Sequence, residues 1–412
     1  MDKVRFGIIG CNNSDEETGS FDAGKVRFGL IGCGSMGGFY ISNSSNGNFK
    51  DSVLTAACDI NPERLKQFEN TDVKVFEKYE DLLDSGLCDA VVVATPHYLH
   101  PVIVKAALER NIHVLSEKPA GVYTKQVKEA IEAAKKSKAL YSIQFNQRTH
   151  HIYRKMKEMI AAGEIGELQR VTWVITNWFR TQNYYNSGNW RATWKGEGGG
   201  VLINQSPHQI DLFWWILGQM PTEVSAKCSY GRWHDIEVED DVTATFRFKN
   251  GATGVFITST GEYPGANRLQ ISGTKGTLYW DGNDYDTLVF YKLARDSHEY
   301  SMDLDCHGAA PEIEKIVVDT DGLSTQHIGN FNNFIAAILG KEPLFVDGKT
   351  GINGVELMNG MELSGWNDGE TIRFPIDEDR YLKELNEHIK HGKQKVQRKE
   401  TTFDSASHFN TK

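Results

Sequence analysis

Two segments of this chain place reactive side chains beside glycine or proline, where the backbone path is restricted. Ser116-Glu117-Lys118-Pro119 follows an apolar run that ends at Leu115, and Gly198-Gly199-Gly200 stands shortly before His208. A lysine at the end of a buried strand loses hydration. Its pKa falls, and it can transfer a proton or hold a substrate hydroxyl. Ser206, Pro207 and Gln209 have the order of an N-cap, a first-turn proline and the third position of a capping box. His208 would then lie in the first turn of a helix, where the dipole disfavours imidazolium and leaves a neutral base. Such a pair suits removal of a hydroxyl proton while hydride leaves carbon. The plainer alternatives are a solvated surface lysine and a buried structural histidine.

A third segment supplies the partner for that chemistry. Residues 26–38 read VRFGLIGCGSMGG. Val26, Phe28, Leu30 and Ile31 suit a buried parallel strand. Gly32, Gly34 and Gly37 complete G-x-G-x-x-G at the expected strand-to-helix turn, and Ser35 and Met36 lie within it. The glycines permit the tight turn, the approach of a pyrophosphate and close helix–strand packing, and the helix N-terminus favours the phosphates. A second apolar run, Val53 to Cys58, ends at Asp59. A carboxylate there accepts from ribose hydroxyls and repels a 2′-phosphate, which favours NAD over NADP. Thr95-Pro96-His97-Tyr98-Leu99-His100 follows another strand's C-terminal end, where ligands bind in open α/β sheets.

The elements around these residues fall into two halves. From residue 25 to 147, strands and helices alternate, as in a parallel sheet covered on both faces. The expected strands include Asp89 to Ala94, Ile112 to Leu115 and Leu140 to Phe145, with helices at Pro101 to Arg110 and Thr124 to Lys138. Residues 148–387 read as an α+β domain with a largely antiparallel sheet. Its expected strands are Gln169 to Phe179, Glu223 to Trp233, Asp241 to Phe248, Thr253 to Thr260, Arg268 to Ser272 and Thr277 to Trp280. Asn250-Gly251 between two of these is a two-residue hairpin signal. Helices are expected at Ile152 to Ala162, Pro207 to Leu217 and Phe331 to Leu339. Residues 388–412 read as a polar tail. Residues 3–11, KVRFGIIGC, nearly copy residues 25–33, KVRFGLIGC, but Asn12 and Asp15 stand where Gly34 and Gly37 do in the second copy. Residues 1–24 therefore read as a duplicated strand with a linker, not as a second phosphate site.

The 412 residues suffice for two domains, and the net charge of −10 argues against nucleic acid or an anionic membrane as partner. No apolar run reaches membrane-spanning length, and no signal-peptide pattern opens the chain. The six cysteines (11, 33, 58, 88, 228 and 306) are scattered, as reduced cytoplasmic thiols would be. His150-His151 and the His97/His100 pair lack the accompanying ligands of a standard metal site.

Together, G-C-G-S-M-G, Asp59, T-P-x-x-x-H at 95–100, Glu117-Lys118-Pro119 and the glycine-to-Asp211 segment resemble the glucose–fructose oxidoreductase, inositol dehydrogenase and rhizopine-catabolism (Gfo/Idh/MocA) oxidoreductase family. The resemblance spans residues 25 to about 380. It implies a Rossmann domain followed by an α+β domain with a large open sheet that often mediates homodimers or homotetramers. It implies NAD(P)-dependent oxidation or reduction of a sugar, glycoside or cyclitol. By that pattern Lys118 and His208 are catalytic, and Thr95, Pro96, His100 and Glu117 line the nicotinamide side. The family usually has Asp four residues before the histidine. Here Asn204 stands there, an amide that can bind a substrate hydroxyl but brings no charge to His208. Asp211, one helical turn on, is the expected substitute.

The substrate wall is sought in residues 173–194, WVITNWFRTQNYYNSGNWRATW. Sugar rings stack their CH faces on aromatic planes and offer hydroxyls to Arg and Asn. Tyr184, Tyr185, Trp190 and Arg191 are expected at substrate, with Arg148 pointing to the same cleft, while Trp173, Trp214 and Trp215 read as core. The expected reaction is hydride transfer between nicotinamide and a hydroxyl-bearing carbon. The alternatives are a redox-neutral glycoside cleavage on retained NAD and a non-catalytic NAD- or sugar-binding regulator.

Overall fold

A computed structural model describes residues 24–306 and 308–392. The near-copy at 3–11 and most of the expected tail lie outside the described residues.

The first half is a six-stranded parallel sheet built from β1 (Val26–Ile31), β2 (Ser52–Cys58), β3 (Lys74–Phe76), β4 (Ala90–Val93), β5 (His113–Ser116) and β6 (Tyr141–Ile143). The strand order is β3-β2-β1-β4-β5-β6. The central strands are buried end to end, as a sheet covered on both faces requires. Helices α1 (Ser35–Ser45), α2 (Pro62–Leu65), α3 (Tyr79–Asp84), α4 (His100–Glu109) and α5 (Thr124–Lys136) connect the strands. Chain order reverses between β1 and β4, so the crevice beyond their C-terminal ends is the ligand position of this topology.

The second half opens with α6 (His151–Ala161) and β7 (Leu168–Ile175), followed by α7 (Gln182–Asn186) and α8 (Pro207–Leu217). Strands β8 (Glu223–Tyr230), β9 (Glu239–Arg247), β10 (Thr253–Ser259), β11 (Asn267–Gly273), β12 (Gly276–Asp281) and β13 (Leu288–Leu293) follow. After α9 (Ser297–Ser301) come β14 (Ile313–Val318), α10 (Gln326–Ile338), α11 (Gly351–Trp366), β15 (Ile372–Arg373) and α12 (Glu378–His391). These strands form a nine-stranded sheet, antiparallel except where β10 pairs with β7. Asn250-Gly251 lies in the β9–β10 turn, with Gly251 at φ 87°, but Phe248 and Ala252 close it around residues 249–251, one residue more than the expected two-residue hairpin. Inward residues such as Trp173 and Phe256 are buried, and outward ones such as Thr245, Arg268 and Gln270 are exposed. Helix α12 runs to His391, past the boundary at 388 expected for the tail.

The two halves interlock. Helix α10 returns to the nucleotide-type sheet, where Phe331 stacks on Phe49 at 3.8 Å and meets Phe28 edge-on at 5.2 Å. Asn330 donates to the Ile143 carbonyl at the end of β6 at 3.0 Å. The five described cysteines are free. No helix among the described residues is long and apolar enough to cross a membrane.

Candidate active site

The glycine turn is shaped by close backbone contacts. Gly32 has φ 98°, and a Cβ there would lie 2.4 Å from the Ala94 carbonyl oxygen. A Cβ on Gly37 would lie 2.2 Å from the Gly32 carbonyl oxygen. Space beside Gly34 is open apart from the Arg64 guanidinium, and no acidic side chain stands in the first turn of α1. Ser35 and Met36 begin that turn, where helix geometry leaves the amides without intrahelical partners, so the cradle fits a dinucleotide diphosphate. Asp59 accepts from the Cys33 and Asn61 amides, both at 2.8 Å, and lies 3.5 Å from Arg64. The expected ribose acceptor thus also clamps the turn, and it carries a guanidinium beside it that the sequence reading did not anticipate.

Across the crevice, the loops after β4 and β5 converge. Thr95 and Pro96 lie where expected, and the Thr95 hydroxyl is buried without a partner among the described residues. His100 departs from its expected cofactor role. Its Nδ1 lies 2.8 Å from the Pro119 carbonyl and its Nε2 2.7 Å from the Thr95 carbonyl, and the ring is 1% exposed. It staples the two loops, because both nitrogens are already taken. His97 is likewise buried, with Nδ1 3.0 Å from the Glu197 carbonyl oxygen. Glu117 accepts from the Tyr40 hydroxyl at 2.8 Å, and burial pushes its carboxyl above the usual range.

Lys118 reaches from β5 into the second half, where its Nζ donates to the Asn204 carbonyl at 3.0 Å. Burial pulls its pKa down. Glu117 and Glu197 pull it back up, and Arg191 and Arg180 push it further down. His208 occupies the first turn of α8, 9% exposed, with Nδ1 unpartnered among the described residues. Its pKa is held well below the imidazole value by burial first, then by the charges of Lys118 and His327. The neutral state expected from the helix dipole therefore has burial as its leading cause. Ser206 does not cap the helix: its hydroxyl pairs with Thr258 at 2.7 Å, and Gln209 turns to Gln147.

Asp211 does not replace the missing carboxylate. It receives both arms of Arg148, at 2.7 and 2.6 Å, and both side chains are buried. The guanidinium is packed against Phe145, Trp214 and Trp215. Arg148, expected at substrate, and Asp211, expected beside His208, thus satisfy each other inside the core. The carboxylate that stands at Asn204 is Glu197, immediately before the three glycines. Its Oε1 accepts from the Asn204 amide, its Oε2 accepts from the Ala192 amide at 2.6 Å, and Arg191 lies 3.8 Å away. An acid abutting the glycine run was the available signal.

Among the aromatic candidates, Tyr185 is core: it is 1% exposed and donates to Thr260 at 2.8 Å. Tyr184 accepts from Arg191 at 2.9 Å and from Gln205 at 3.1 Å. Trp190 remains partly exposed, its ring 5.5 Å from that of His97. The structure adds His327, at the start of α10. Burial, helped by the charge of Lys118, pulls its pKa down to about 4. No group of three or more His, Cys, Asp or Glu among the described residues is placed to hold a metal.

Comparison with known proteins places both halves. Residues 26–145 match the model of an oxidoreductase family with an NAD-binding Rossmann fold, and residues 153–279 match the GFO/IDH/MocA C-terminal domain. The uncharacterized oxidoreductase YrbE of Bacillus subtilis is 28% identical over 261 residues, 61% of this chain and 72% of that protein. The myo-inositol 2-dehydrogenase of Thermotoga maritima is 27% identical over 250 residues, 58% of this chain and 71% of that protein. The WlbA dehydrogenase of Bordetella pertussis, solved in complex with NADH and UDP-GlcNAcA, aligns with TM-score 0.72 at 28% identity. The alignment covers 86% of this chain and 100% of that one.

Proposed function

The chain belongs to the GFO/IDH/MocA oxidoreductase family, and from that premise we propose that it is an NAD-dependent dehydrogenase of a sugar, glycoside or cyclitol. One observation carries the reading. Lys118, from the parallel sheet, is held by the Asn204 carbonyl, four residues before a neutral His208 from the other half. This brings a lysine and a neutral imidazole from the two halves of the chain to one crevice beyond β5.

Bound NAD would supply the hydride acceptor, with Gly32, Gly34, Ser35, Met36, Gly37, Asp59, Thr95, Pro96 and Glu117 holding it. Lys118 holds the reacting hydroxyl oxygen and moves its proton, and its lowered pKa makes the neutral amine accessible. His208, held neutral by burial, serves as the proton acceptor beside Lys118. Asn204, fixed by Glu197, positions Lys118 through its carbonyl and binds a further substrate hydroxyl. Tyr184, Trp190 and Arg191 form the adjoining wall. NAD is the proposed form because Asp59 disfavours a 2′-phosphate, although Arg64 softens that charge.

The test is near-ultraviolet absorbance with excess NAD or NADP against cyclitols, monosaccharides and glycosides. Sustained NADH formation with one class supports the reading. A signal limited to one equivalent of protein points instead to retained cofactor and redox-neutral cleavage. Silence across the panel removes the dehydrogenase reading and favours a binding protein.

A further inference from the structure

We propose that the substrate of this site carries an anionic group, a carboxylate or a phosphate ester, received by Arg180 beside the Tyr184 ring. This rests on the active-site reading above and adds the chemical class of substrate.

The argument starts from two arginines in contrasting surroundings. Arg148 is buried, and its charge is met in full by the Asp211 fork. Arg180 is partly exposed and has no ion-pair partner among the described residues. Its guanidinium lies 5.5 Å from the Trp178 ring centroid and 5.1 Å from that of Tyr184. Its Nε is buried and unpartnered among the described residues, and one terminal nitrogen donates to the Phe179 carbonyl at 2.9 Å. A guanidinium packed on aromatic faces keeps its edge donors for planar, bidentate acceptors, which are carboxylates and phosphates.

The position is fixed before any ligand arrives. The Arg180 amide donates to the Thr260 carbonyl at 2.9 Å, and its own carbonyl lies 2.8 Å from His234 Nε2. Arg191 meets the same Tyr184 ring at 4.8 Å and Trp190 at 4.7 Å. From Arg191 an unbroken chain of contacts leads to the chemistry: Glu197 at 3.8 Å, then the Asn204 amide, then Lys118 on the Asn204 carbonyl. Both arginines are near enough to depress the Lys118 pKa. Facing them are Glu197 and Glu117, and Glu117 is capped by Tyr40. Arg180 thus keeps a charge with no ion-pair partner among the described residues, on a chain whose net charge is −10. A guanidinium without a carboxylate partner on an acidic protein selects an anionic ligand and raises its encounter rate.

The test compares matched sugars on the full-length protein. D-glucose, D-glucuronate and D-glucose 6-phosphate are assayed for NADH formation. Their binding to the NADH-loaded protein is followed by thermal shift. The expected result is that one anionic sugar exceeds glucose in kcat/KM by about tenfold or more, the range of a charged hydrogen bond. Its KM should rise with ionic strength while that of glucose does not. Glucuronate against glucose 6-phosphate decides which anion. Arg180→Gln should erase most of the anionic advantage, and Arg180→Lys should keep part of it. Turnover of glucose as efficient as that of both anions overturns the proposal and leaves the dehydrogenase reading intact. An anion-dependent shift that is lost in Arg180→Gln, without turnover of any sugar, supports the anion site and removes the dehydrogenase reading. Absence of any anion-dependent effect overturns the proposal.

Discussion

At the scale of single residues, the site depends on how Asn204 is held. Glu197 bonds its amide, and the Asn204 carbonyl bonds Lys118, so a carboxylate acts on the lysine through one intervening residue. Glu197 raises the pKa of Lys118 against the stronger opposing effect of burial. A lysine that must lose its proton to act gives a kcat/KM that rises with pH through that pKa. Glu117 raises that pKa more, but Glu197→Gln removes the second raising influence, so the rise should move to lower pH, together with a fall in kcat. An unmoved profile would show that Glu197 serves the loop fold alone. His208 should contribute no step between pH 6 and 8 (roughly the range of an unperturbed imidazole), because its pKa lies well below that value. A second variant relocates the charge. Asn204→Asp alone sets two carboxylates against each other, which one must relieve by holding a proton. It should slow turnover. Glu197→Gln with Asn204→Asp restores a single carboxylate and should recover part of the rate; if the double variant were no faster than either single one, the coupling would be absent.

At the scale of elements, periodicity made most of the scaffold legible. Helix α8 was expected and found at Pro207–Leu217, and β10 ends one residue short of its expected Thr260. The glycine turn, Lys118 and His208 were readable because each follows a strand or opens a helix. Helix α11 was missed for a physical reason: nearly all its residues are buried, so no polar stripe marks its period, and glycine recurs along it. Strand β7 leaves the ladder at Ile175, where the chain turns to build the arginine-rich wall. Which polar residues pair is set by tertiary approach, so Arg148–Asp211 and Glu197–Asn204 could not be read from spacing. The glycine run likewise depends on a distant helix. Glu239 accepts from the Gly200 and Leu202 amides, and a Cβ on Gly199 would lie 2.6 Å from Glu362 Oε1. Burial pushes Glu239 up to about 7 from 4.5 and holds Glu362 well above its usual value. The folded protein therefore binds protons more tightly than the unfolded chain. Between those values stability falls as pH rises. Glu362→Gln should flatten the decline of Tm between pH 5 and pH 8, measured calorimetrically; an unchanged slope would place the proton elsewhere.

At the scale of the whole molecule, the proposed chemistry requires two halves to stay in register, because Lys118 belongs to one and Asn204 and His208 to the other. Helix α10 supplies the register. Phe331, Phe334 and Ile335 are buried with Phe28, Leu30, Tyr40 and Phe49, beneath the helix that carries the glycine turn. The same helix sets His327 near Lys118, and Asn330 ties it to β6. Phe331→Ala opens a cavity between α10 and the sheet, which costs about 3–5 kcal/mol in a well-packed core. If α10 were only a lid on a self-sufficient nucleotide domain, NADH affinity would hardly change. In the interlocked arrangement, loosening α10 releases α1 through Tyr40 and Phe49 and displaces the loop that carries Lys118 through Glu117, which bonds Tyr40. Phe331→Ala should therefore lower Tm and weaken NADH binding together, the latter read by NADH fluorescence titration below the new Tm. Phe331→Leu keeps most of the volume and should restore both. A lowered Tm with unchanged NADH affinity would separate α10 from the cofactor cradle. Loss of both, repaired by leucine, would make the returning helix the part that holds the two-sided site in place.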